Sequence, residues 1–149
     1  MAEAILNRAG GNRFHAMSAG LEPAQAVDPT TLEQLRSMSL PIEHCFTKPV
    51  QGFREESLIS LDFIFSSLDL QEAGLARGWP GNPILNQWRI PDPMAFEGRE
   101  SGRRNPFRSV FTSLQKRINL ILDLPIDKIV DLSSRRSCTT GSPQPGPFA

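Results

Sequence analysis

The stretch from Phe107 to Leu122 constrains this chain more than any other. Its apolar residues Phe107, Val110, Phe111, Leu114, Ile118, Ile121 and Leu122 fall at relative positions 0, 3, 4, 7, 11, 14 and 15. At 3.6 residues per turn this is one unbroken stripe, so the segment is predicted to be a long helix with one face in a core. Asn105 is placed to cap it, with Pro106 at the first helical position and Pro125 as the stop. Ile126–Leu132 is expected to add one or two turns.

A stripe of this kind needs other elements to cover it. Ala2, Ala4, Ile5 and Leu6 give a short apolar helix that Gly10-Gly11 ends. Asp28-Pro29 opens a second helix, with Asp as cap, Leu32, Leu35 and Met38 as its stripe, and Pro41 as its limit. Leu61–Ser66 (LDFIFS) is the best strand, being apolar, aromatic and β-branched. Arg13–Gly20, which ends in a small-residue turn, and the weaker Leu85–Trp88 are further strand candidates. Pro91-Asp92-Pro93 can only be a turn or an extended loop. Strands alternating with helices imply an α/β fold with a mostly parallel sheet, and a site at the carboxyl ends of its strands.

Composition narrows the function. The 149 residues carry 16 Lys+Arg against 16 Asp+Glu, a balance unlike that of a general nucleic-acid binder. No apolar run approaches the roughly 20 residues a membrane helix needs, and the N-terminus has no signal-peptide pattern. Cys45 and Cys138 are too few for a disulfide framework and have no partner at metal-ligand spacing. The expectation is a cytoplasmic protein without a metal or cofactor. Residues 1–132 form one domain, and 133–149, rich in Ser, Thr, Gly and Pro, form a disordered tail. Charge is uneven: 7 basic and 12 acidic residues in 1–98, then 9 basic and 4 acidic in 99–149. The cluster Arg99, Arg103, Arg104 and Arg108 reads as a solvated helix start or as an anion or partner contact.

A set of short motifs runs along the chain in a fixed order: Ala2-Glu3-Ala4 with Leu6-Asn7, Ser18-Ala19-Gly20, Leu40-Pro41, and Thr47-Lys48. Asp62-Phe63-Ile64-Phe65, Trp79-Pro80-Gly81, Trp88, Ile90-Pro91-Asp92-Pro93 and Glu97-Gly98 follow. In this order and spacing, over about residues 1–136, the chain resembles the low-molecular-weight protein tyrosine phosphatase superfamily, in its arsenate reductase branch. The resemblance implies a three-layer sandwich with a short parallel sheet of order 2-1-3-4. It also implies a C-x5-R-S loop whose thiolate attacks phosphorus or arsenic. Loop amides, the arginine and a helix N-terminus would hold the oxyanion. An aspartate in a D-P loop protonates the leaving oxygen. In the reductase branch, further cysteines pass electrons on to thioredoxin or glutaredoxin by thiol–disulfide exchange.

Against that pattern the chain is expected to be truncated. The central first strand and phosphate loop would lie just ahead of Ala2-Glu3-Ala4. Leu68 stands where the resolving cysteine is expected and Ala76 where the third cysteine is. Phe46 replaces an arginine two residues before Lys48. Asp92 matches the general-acid position, although without that match it reads rather as an Asp-Pro turn residue. Cys45, beside His44, reads as a half-buried inert thiol. Cys138 falls in the loose tail. Three readings stay open: an inactive remnant of the enzyme domain, an active enzyme whose true start lies upstream, and a non-catalytic binding protein. A sheet without its central strand is also expected to leave the chain loosely packed and prone to aggregate at an open edge.

Overall fold

The computed structural model describes residues 1–54 and 59–131. The tail expected over 133–149, and Cys138 in it, lie outside the described residues. Three helices build the core: α1 (Ala2–Gly10), α2 (Pro29–Ser37) and α3 (Arg104–Leu122). Two strands, β1 (Phe63–Ser66) and β2 (Ile84–Gln87), pair in parallel with Phe63 opposite Ile84 and Ser66 opposite Gln87. The chain is thus a mixed α/β fold, as its alternating pattern implies.

α3 buries five of the seven residues of its stripe, Phe107, Val110, Phe111, Leu114 and Ile118, and leaves Ile121 and Leu122 half-buried near its end. Ala4 and Ile5 of α1 and Leu35 of α2 close on Val110, Phe111, Leu114 and Ile118, with Met1, Leu40, Cys45, Trp88 and Ile90 packed around them. Leu35 is wholly buried, whereas Met38 at the end of its stripe is 45% exposed because α2 has already ended. Full burial of one such side chain contributes about 1.5–3 kcal/mol, so these helix contacts carry most of the apolar stabilisation.

The ends of the helices follow local chemistry. The Asp28 carboxylate accepts the Thr30 and Thr31 N–H groups (2.8 and 3.3 Å), as a cap should. α2 closes with Leu40 N–H on the Leu35 carbonyl and Ser39 N–H on the Arg36 carbonyl, while Ser39 takes φ +55°. This is a Schellman closure with serine in the left-handed position that glycine usually fills. α1 ends at Gly11, also at φ +55°, where glycine bears no such strain.

Two expectations are corrected. Asn105 does not cap α3: a 3-10 turn at Glu100–Gly102 leads directly into a helix that starts at Arg104. Pro106 then falls at the third helical position, where its missing N–H still removes no intrahelical bond. Arg13–Gly20 is not a strand. Gly11–Arg13 form a 3-10 turn, and only Gly20 makes a bridge, parallel to Pro49. Between them the backbone bonds to side chains. The Asn7 amide donates to the Ala16 carbonyl (2.9 Å) and accepts its N–H (2.7 Å), which is the pairing a neighbouring strand would offer.

Past α3, residues 126–131 are helical, in line with the further turns expected there. No helix among the described residues is long and apolar enough to cross a membrane.

Candidate functional site

The densest polar cluster joins α1 to two loops. The Glu3 carboxylate accepts the Ser18 N–H (2.8 Å) and the Ser18 hydroxyl. Lys48 Nζ donates to both of its oxygens, at 3.1 and 3.3 Å. Lys48 and Glu3 side chains are only 15% and 20% exposed, so the pair is shielded from bulk water. Lys48 also sits 4.1 Å from the centroid of the Phe46 ring, which is itself exposed. Burial pushes the Glu3 carboxyl up, but the Ser18 and Lys48 hydrogen bonds and the Lys48 charge outweigh it and hold it below the usual glutamate value. Just beyond Ser18, Gly20 exchanges backbone bonds with the loop: Gly20 N–H to the Lys48 carbonyl and Val50 N–H to the Gly20 carbonyl, both 2.9 Å. The cluster thus fixes the 14–20 segment and the 45–50 loop against α1.

Asp92 lies on a second loop. It is exposed, and its carboxylate accepts the Met94 N–H at 2.8 Å, capping a 3-10 turn at Pro93–Ala95. That loop is anchored from behind. The Trp88 and Phe65 rings lie 4.5 Å apart, and the Arg117 guanidinium is 5.7 Å from the Trp88 centroid while it donates to the Arg89 carbonyl. An Asp-Pro turn of this form presents a carboxylate to solvent on a fixed backbone. The described hydrogen bonds and ion pairs do not join Asp92 to Cys45 or to the Glu3 cluster.

Cys45 is half-buried, its thiol aimed at the Pro41 carbonyl at 3.9 Å, while adjacent His44 is exposed. The two side chains therefore do not form a nucleophile–base pair. Leu68 is 47% exposed in the turn after β1, where the buried Ser66 hydroxyl donates to the Leu68 carbonyl and accepts its N–H. Ala76 is half-buried in the following turn, beside Leu75, whose carbonyl accepts the Trp79 indole N–H at 2.7 Å. Two residues of the arginine cluster are engaged with α2: Arg103 with Asp28 at 3.5 Å and Arg104 with Glu33 at 2.9 Å. This favours the reading of a helix start over that of an anion site.

Nothing local in the sequence marks the Glu3–Ser18–Lys48 cluster as a site. All three residues lie in the ordered motifs, but no local pattern says that a carboxylate at 3 meets a hydroxyl at 18.

No protein-family model matches the chain, and no curated protein matches it. Its three-dimensional form does find a match. A solved structure described as "An arsenate reductase in reduced state" superposes with a TM-score of 0.57, at 19% identity, over 81% of this chain and 84% of its own. The fold is arsenate reductase-like. At that identity the likeness concerns the fold alone.

Proposed function

We propose that residues 1–132 of this chain are an arsenate reductase/low-molecular-weight phosphatase-like domain that does not itself catalyse the thiol chemistry of that superfamily. The observation that carries this reading is the state of its cysteines. A C-x5-R loop needs an arginine six residues after the cysteine, and the residues six after Cys45 and Cys138 are Gln51 and Gln144. The positions matched to the redox cysteines hold Leu68 and Ala76, and half-buried Cys45 turns its thiol to the Pro41 carbonyl. In the superfamily the thiolate supplies the nucleophile, and its loop supplies most of the transition-state stabilisation. Asp92, at the general-acid position, has no attacking group to serve.

A second reading has the Asp-Pro loop in its favour: an active enzyme whose strand and C-x5-R-S loop lie ahead of Met1. In that case an oxyanion substrate, and thioredoxin or glutaredoxin for a reductase, would be its partners. An in-frame strand and C-x5-R-S motif in the DNA upstream would establish that reading.

The test is hydrolysis of an aryl phosphate by residues 1–149, with Asp92→Ala beside it. No turnover is expected from either protein. Activity that Asp92→Ala abolishes would show another nucleophile at work and end the proposal.

A further inference from the structure

We draw no further inference here: the strongest candidate, the shallow polar recess on the outward face of α3 lined by Arg108, Ser109, Thr112, Ser113 and Lys116, carries nothing, because nothing in the structure shows what covers it and two exposed cations on a solvated helix face do not by themselves specify a ligand.

Discussion

Glu3 shows how a residue near one end of a chain can organise distant segments. Its carboxylate takes two bonds from Ser18 and the charge of Lys48, in a setting that is shielded but not dry. Hydrogen bonds to a charged group contribute more than neutral ones, and Glu3→Gln should lower stability by about 1–2 kcal/mol near neutral pH. The pH dependence follows from the direction of the shift. A carboxyl held below its ordinary value binds fewer protons folded than unfolded. Its contribution is therefore full above the ordinary glutamate range and is lost as pH falls through the depressed folded value. Urea denaturation of both proteins should show a gap near neutral pH that narrows as pH falls through the ordinary glutamate range and closes below the depressed folded value. A pH-independent gap would mean that Glu3 acts through packing. Asp92 shows the opposite case: its bond to Met94 N–H explains the turn, and nothing further is needed to account for its place in the fold.

At the scale of elements, the clearest strain is at the end of α2. Ser39 adopts φ +55°, a conformation that costs an L-residue roughly 1–2 kcal/mol and glycine almost nothing. Ser39→Gly should raise stability by about 1 kcal/mol, since its side chain is exposed. A rise in urea midpoint without a change of slope is the expected result, and a fall would show that the serine hydroxyl has an undetected role. The same helix shows what the sequence could reveal. Its Asp28 cap was legible because capping is local chemistry, and the α3 stripe was legible because period is local too. The start of α3 is not legible, because a proline at the third helical position is as tolerable as one at the first, so Asn105-Pro106 carries no unique register. Arg13–Gly20 differs from its expected strand for a longer-range reason. Its alternation and extended backbone suit a strand, but Asn7 and Glu3 side chains supply the bonds that a strand would. No pattern within the segment reports that substitution.

For the whole molecule, the helical core and the two-stranded sheet are unequal partners. Seven buried apolar side chains from α1, α2 and α3 form one cluster, whereas β1 and β2 together bury only Ser66 fully. Opening of the sheet should therefore cost less than opening of the core. Amide exchange should be slowest over Val110–Ile118 and markedly faster at Phe63–Ser66 and Ile84–Gln87. Equal protection of both would show that the sheet is coupled to the core more tightly than its burial implies. An open β1 edge is also the expected seat of any aggregation. The arrangement as a whole is arsenate reductase-like, and the central claim is that these 149 residues keep the form without the thiol chemistry. The direct test is arsenate reduction by the purified chain with thioredoxin or glutaredoxin and the matching reductase, against a Cys45→Ser, Cys138→Ser double variant. The account predicts identical background rates. Turnover by the unmodified chain above that of the double variant would contradict it.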